Sequence, residues 1–365
     1  MNFYSTKITK KAVELVNKVL RSEFVSAGVY AKKFEGELYA KLGLINPVSV
    51  NSGTSALHLG LEVTGVGVGD EVILPAQTFV ASGLAILMTG ATPVFADIQY
   101  QTGNIDPESI KQKITEKTKA IMPVHWAGYP CDMNEINQIA EENDLTVIED
   151  AAHALGATYK GKPIGSISDF TAFSFQAIKH LTTGDGGALC CIDENHYREA
   201  RNRRWFGIDR ENSKPGILGE RVFDIVKTGF KYHMNDLAAA LGLGNLEDFL
   251  ERLKRIREIA AIYRKELVDV QGLQLLNYTN DRESAYWLFT ILVENRLDFI
   301  KMMRAADIPV SVIHQRIDRF SVFGKQKPNL VNQEKFDENQ ISIPINDNLS
   351  DEDVYKVLVA IKGGW

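Results

Sequence analysis

A repeated alternation of short apolar strand, polar turn and helix, running from residue 47 to residue 150, constrains this chain more than any other feature. The strand Pro47 to Val50 meets the turn Asn51-Ser-Gly-Thr-Ser, and Ala56, Leu57, Leu59 and Leu61 then continue at helical spacing. The same unit recurs as strand 71–74, helix 77–87, strand 92–95, helix 107–114, strand 120–124, helix 133–143 and strand 145–148. Such alternation requires an α/β fold, a mostly parallel sheet with helices on both faces, because each parallel connection must cross over the sheet. Two helices precede it: Val13, Val16, Val19 and Leu20 share one face, and a second spans 29–42 and buries Phe34 and Leu38.

With 365 residues the chain exceeds one ordinary core. The expected division is a large domain over 1–250, which includes the two leading helices, and a small C-terminal α+β domain over 251–365. A long helical pattern from Asn235 past Leu253 to Tyr263 bridges them. Beyond it, 286–293 reads as a strand and 297–306 as a helix, and Ser350 with Asp353 forms a capping box for a last helix.

Composition excludes several function classes. A net charge of −6 argues against a nucleic-acid partner, and the short run Arg201, Arg203, Arg204 before Trp205 reads as a solvated or substrate-facing loop. The 3 cysteines provide neither a disulfide framework nor a zinc spacing, so no metal is expected and the cytoplasm is the expected compartment. The most apolar stretch, 80–95, is interrupted by Ser82, Gly83, Thr89, Gly90 and Pro93, and so falls short of a membrane span. Gly65, Gly67 and Gly69 lack dinucleotide-loop spacing and read as a turn.

The chemistry concentrates around Lys179, where the apolar run Phe-Ser-Phe from residue 173 enters a glycine-rich loop. An amine so placed suits a Schiff base with a carbonyl cofactor, whereas an isolated lysine would simply extend into water. Asp150 closes the apolar segment Val-Ile-Glu-Asp at the carboxyl end of a strand, the edge where open parallel sheets bind ligands. Together the two point to pyridoxal phosphate, which needs an amine for its aldehyde, an anion at its ring nitrogen, donors for its phosphate and a surface for its ring. Asp150 would keep the pyridine nitrogen protonated; the competing reading is a helix N-cap before Ala151. His153 would meet the ring oxygen, or else be a hydrogen-bonded core histidine. Gly53 and Thr54 open a helix suited to a phosphate, with ordinary capping as the alternative. Ser174 would add a hydroxyl, and Phe79 would stack on the ring or pack in the core.

These segments, together with Gly69-Asp-Glu-Val-Ile-Leu-Pro, Thr89-Gly-Ala-Thr-Pro-Val-Phe-Ala-Asp, Pro123-Val-His-Trp-Ala-Gly and Gly229-Phe-Lys-Tyr-His-Met-Asn-Asp, carry a resemblance along nearly the whole chain. The chain resembles the sugar aminotransferases of the DegT/DnrJ/StrS family, fold type I pyridoxal-phosphate proteins. The resemblance implies that Lys179 bonds the cofactor and that Asp150, His153 and Phe79 surround its ring. Gly53, Thr54 and Ser174 match the phosphate binders. Asn235 matches an asparagine that reaches the phosphate from a neighbouring subunit, which implies a homodimer with shared active sites.

Some members carry histidine at the lysine position and act as dehydratases; Lys179 argues for transamination, although His180 follows directly. The implied reaction moves an amino group, from glutamate, to the ketone of a nucleotide-linked deoxysugar. The chain departs from the family's usual pattern over residues 311–324. There His314 is expected to face the substrate and Arg316 or Arg319 to meet a phosphate or carboxylate, with ordinary surface arginines as the alternative. That departure leaves open a different keto acceptor, such as a keto acid sugar or a carbocycle. A regulator that binds the cofactor without turnover is the third reading.

Overall fold

Seven strands join in one sheet in the computed structural model, which describes residues 1–210, 212–324 and 329–365. They are β1 (Pro47–Val50), β2 (Glu71–Pro75), β3 (Thr92–Ala96), β4 (Thr118–Ile121), β5 (Thr146–Asp150), β6 (Phe170–Ser174) and β7 (Gly187–Cys191), in the order β1-β7-β6-β5-β4-β2-β3. Only β7 opposes the others, pairing antiparallel with both β1 and β6. An antiparallel neighbour needs no helical crossover. The loop 175–186 therefore turns back at the carboxyl edge of β6, beside the carboxyl end of β5, and it carries Lys179.

Side chains alternate across the sheet with a period of two. Ile73, Ile121, Val147 and Phe173 face a core that includes Phe34 and Leu38 of α2 (Val29–Leu42), which follows α1 (Lys10–Arg21). Val72, Leu74, Ala120 and Ile148 face the opposite core, built on Leu57 and Leu61 of α3 (Gly53–Val63) and Ile86 of α4 (Val80–Met88). Helices α5 (Pro107–Lys113), α6 (Met133–Glu142) and α7 (Glu194–Arg203) complete the cover.

Three sequence expectations need adjustment. The helix expected from Gln77 begins at Val80, because Gln77 is fully buried in a side-chain network and Phe79 is left as the cap residue. The long pattern 235–263 breaks into α8 (Asp236–Asn245) and α9 (Phe249–Glu266), where Asn245 turns its amide to Thr9 and Thr182. The arginine run is not a solvated loop. Arg203 is buried against Glu62, and Arg204 pairs with Glu35 and donates to the Ser49 carbonyl at 2.8 Å.

Helix α9 passes from one core to another: Phe249 and Leu253 join that of α2, whereas Ile256, Ile259 and Tyr263 pack with a three-stranded antiparallel sheet. That sheet is formed by β8 (Leu273–Leu275), β9 (Phe289–Val293) and β10 (Gln340–Ile343). Helices α10 (Arg296–Ala305), α11 (Val331–Asn339) and α12 (Asp351–Lys362) lie with it, and Ser350 and Asp353 form the expected capping box. Met1 also packs into this core, and Asn346 donates to the Asn2 carbonyl, so the N-terminal segment crosses to the C-terminal part. No helix among the described residues is long and apolar enough to cross a membrane.

The carboxylate of Asp236, buried at the start of α8, accepts from the backbone N–H groups of Gly28, Tyr30 and Ala31 at 2.9, 3.2 and 2.9 Å. It thereby caps the otherwise unsatisfied N-terminus of α2 from another helix. Asp236→Ala is expected to lower stability by about 3 kcal/mol, measured by urea denaturation, since three backbone donors, that of Ala31 buried, lose a charged acceptor.

Candidate active site

A cavity of about 360 Å³ lies at the carboxyl edge of β5 and β6. The structure brings eight of the sequence-derived candidates to its wall: Gly53, Thr54, Phe79, Asp150, His153, Ser174, Lys179 and His314. Lys179 lines it and His180 does not. A larger cavity of about 590 Å³, lined among others by Arg204, Trp205, Arg210 and His233, shares none of these residues.

Asp150 ends β5 and is buried, and no helix follows it, so its carboxylate is not an N-cap. One oxygen accepts from the Ser82 hydroxyl of α4 at 2.7 Å and the other from the Ala152 N–H at 3.1 Å. Beneath it, His125 and Glu149 form a fully buried pair at 2.7 Å. The other ring nitrogen of His125 accepts from the Cys131 N–H, so the proton lies on Nε2 and is donated to Glu149. Glu149 also accepts from Thr171 of β6, and the backbone N–H of His125 donates to the Asp150 carbonyl. These contacts fix the end of β5.

At the first turn of α3, Ser52 caps the Ser55 N–H at 3.0 Å and its carbonyl takes the Ala56 N–H, leaving Gly53 and Thr54 uncapped among the described residues. A Cβ on Gly53 would come within 2.9 Å of the Ser174 Cβ, so only glycine lets the helix start approach β6 this closely. Phe79 does not join the core. It is 55% exposed at the start of α4, with its ring centroid 5.3 Å from that of His314.

Burial brings the Lys179 amine down to about 7, opposed by the Asp150 carboxylate. His153 is held neutral well below its ordinary range by burial and by the Lys179 charge, and its Nδ1 is buried without a hydrogen-bond partner among the described residues. His314 is lowered to about 3 by burial and by Lys179. Lys179 is thus the one cationic side chain on the wall among the described residues.

Three candidates lie elsewhere. Asn235 is exposed at the start of α8, where its side chain caps the Ala238 N–H. Arg316 is buried in a two-point pair with Asp318 at 2.8 and 2.7 Å, and Arg319 is exposed and held by Glu334 and Asp337. Neither arginine lines the cavity, because neighbouring carboxylates occupy both.

Sequence reasoning missed Ser82, which lay inside an apolar run. It also missed Trp287, which lay in a segment read as strand from residue 286. The strand begins at Phe289, and Trp287 turns into the cavity. The adjacent aromatics Tyr286 and Trp287 were the available signal, since a strand would have sent them to opposite faces.

Residues 6–362 match the DegT/DnrJ/EryC1/StrS aminotransferase family. The chain is 39% identical to GDP-perosamine synthase of Escherichia coli O157:H7 over 79% of its own length and 77% of that protein's. It superposes on the sugar aminotransferase CalS13 from Micromonospora echinospora with a TM-score of 0.95, 33% identity and 100% of both chains covered. With the PLP form of a putative sugar aminotransferase, Spr1654 from Streptococcus pneumoniae, the TM-score is 0.91 at 32% identity, covering 100% of this chain and 98% of that one.

A lysine neutral above about pH 7 differs from exposed lysines, which stay charged until far higher pH. In the cofactor-free protein, limited acylation mapped by peptide mass spectrometry across a pH series should therefore label Lys179 with a midpoint at about pH 7.

Proposed function

The chain belongs to the DegT/DnrJ/EryC1/StrS aminotransferase family, and from that premise we propose that it transfers an amino group from glutamate to the ketone of a nucleotide-linked deoxysugar in amino-sugar biosynthesis. The cofactor is pyridoxal phosphate, and the residues present fit it. The observation that carries the reading is the meeting of the Lys179 amine, near neutrality, with the donor-held Asp150 carboxylate in one cavity. The unpartnered His153 Nδ1 and the glycine-tight approach of α3 to Ser174 supply the rest of the fit.

Lys179 would bond the cofactor's aldehyde, and Gly53, Thr54 and Ser174 would hold its phosphate at the start of α3. Bound there, the ring supplies an electron-withdrawing group that stabilises negative charge developing at the substrate carbon. Asp150, little screened because it is buried, would keep the ring nitrogen protonated. His153 would meet the ring oxygen, and Phe79 would cover the ring. Once freed, Lys179 has a substantial neutral fraction at neutral pH, takes a proton from the amino donor's carbon and returns it on the acceptor side. His314 faces the acceptor. Arg316 and Arg319 are held by carboxylates and neither lines this wall, so neither is assigned to the acceptor.

Beyond the groups assigned to the cofactor, the described residues of this wall include no arginine and no second lysine for the phosphates of such substrates. Asn235 is exposed, as is the hairpin of Lys214–Pro215 and Arg221–Val222, which projects Ile217 and Leu218 almost fully into solvent. We assign both to contact with a second copy, so that the site is shared in a homodimer. The cysteines, all buried thiols, agree with a cytoplasmic enzyme.

The purified protein is expected to show a visible cofactor band that glutamate bleaches, and Lys179→Ala to lose the response with transamination reduced by about 1,000-fold or more. A parent that holds cofactor without responding to any amino donor would favour the regulator reading. For the shared site, inactive Lys179→Ala and Asn235→Ala chains are refolded together. Mixed dimers contain one intact site, so about a quarter of the parent activity should return; absence of recovery would place Asn235 in its own subunit's site.

A further inference from the structure

We propose that Trp287 is a positioning residue for Lys179, its indole face holding the charged amine whenever that amine is not bonded to the cofactor. The inference rests on the assignment of Lys179 above. The Lys179 Nζ lies 3.6 Å from the centroid of the Trp287 ring, within the range of a strong cation–π contact. Trp287 is itself held in place. It is 4% exposed, its Nε1–H donates to the Ile178 carbonyl at 3.0 Å, and His153 stacks on it at 3.8 Å and 18°. Tyr4, from the N-terminal segment, adds a further stacked ring at 5.5 Å.

The chain accepts strain to deliver this side chain. Tyr286, immediately before it, has φ of +50°, a left-handed conformation that an aromatic residue seldom adopts. The turn breaks strand alternation and sends Trp287 into the cavity. It is tied to the turn Trp126–Gly128, which follows β4, by Ala285 N–H to the Gly128 carbonyl and Leu288 N–H to the Ala127 carbonyl. Gly128 permits the approach, since a Cβ there would meet the His153 carbonyl oxygen at 2.6 Å and the Tyr286 nitrogen at 3.0 Å.

Burial disfavours the ammonium form of Lys179, and the charge that offsets this is that of Asp150, with Asp185 a second carboxylate on the wall. Asp150 is also the group proposed for the cofactor's ring nitrogen. An aromatic face supplies a second resting place that competes with neither the cofactor nor the substrate for hydrogen bonds. It keeps the freed amine within the cavity between its two proton transfers.

The test uses the full chain stripped of cofactor and follows the visible band as pyridoxal phosphate is added back across a pH series. Only the neutral amine attacks the aldehyde, so the midpoint of the rate profile reports the charge on Lys179. The ring favours the charged form, so its removal should move the midpoint down by about one pH unit. Trp287→Phe and Trp287→Leu both lose the bond to Ile178 and differ in whether an aromatic face remains. Phe is expected to stay near the parent and Leu to show the shift. Trp287→Met is a second non-aromatic variant should Leu fail to fold, judged by thermal melts.

Equal midpoints in the Phe and non-aromatic variants would overturn the proposal. So would an upward shift in the non-aromatic variants, which would mean that Trp287 acts only by excluding water. A parent chain that forms no band at all would instead overturn the assignment of Lys179.

Discussion

A carboxylate taken out of water must be met by donors and a cation, and the burial of Asp150 organises the centre of this molecule. The Ser82 hydroxyl brings α4 to it, the Ala152 N–H brings the turn after β5, and Lys179 brings the loop between β6 and β7. The two donors and the Lys179 charge belong to different segments, so one buried carboxylate draws together three parts of the large sheet's carboxyl edge. The pair His125–Glu149 supports the same strand end from below. The proton on His125 is fixed by the Cys131 backbone, and the Glu149 carboxyl is met by His125 and Thr171.

The C-terminal part reaches this centre through buried amides. Gln77, after β2, accepts from Gln333 of α11 at 2.8 Å and from Gln340 of β10 at 3.3 Å, and Gln340 also donates to the His314 carbonyl. All three glutamines are essentially inaccessible to solvent, so separating the two parts would strand several polar groups. His314 and Trp287, both from the C-terminal part, are thereby held against His153 and Lys179. Ile317 and Phe323 pack into the core that contains α4, so the segment with the least family-like sequence is a firmly seated wall.

Much of the fold was legible because it depends on period. Alternating apolar residues in β2 and β5, set against helical spacing in α2 and α3, define two faces of a sheet without knowledge of contacts. Element ends were less legible. Gln77 had the look of a helix start, but its amide was claimed by Gln333 and Gln340, more than 250 residues away in sequence. Asn245 interrupted a continuous helical pattern for the same reason.

The sequence by itself determined the alternating sheet, the edge at which Asp150 and Lys179 meet, and the glycine at the start of α3. These follow from local period, strand direction and the chemistry of single residues. Tertiary structure alone decided what surrounds them. It neutralised Arg316 and Arg319 with carboxylates, turned Trp287 out of strand alternation to face Lys179, and gave Asp150 its Ser82 donor. The physical reason is that burial energies and charge pairing depend on neighbours distant in sequence, and one chain's local pattern does not encode which distant group arrives.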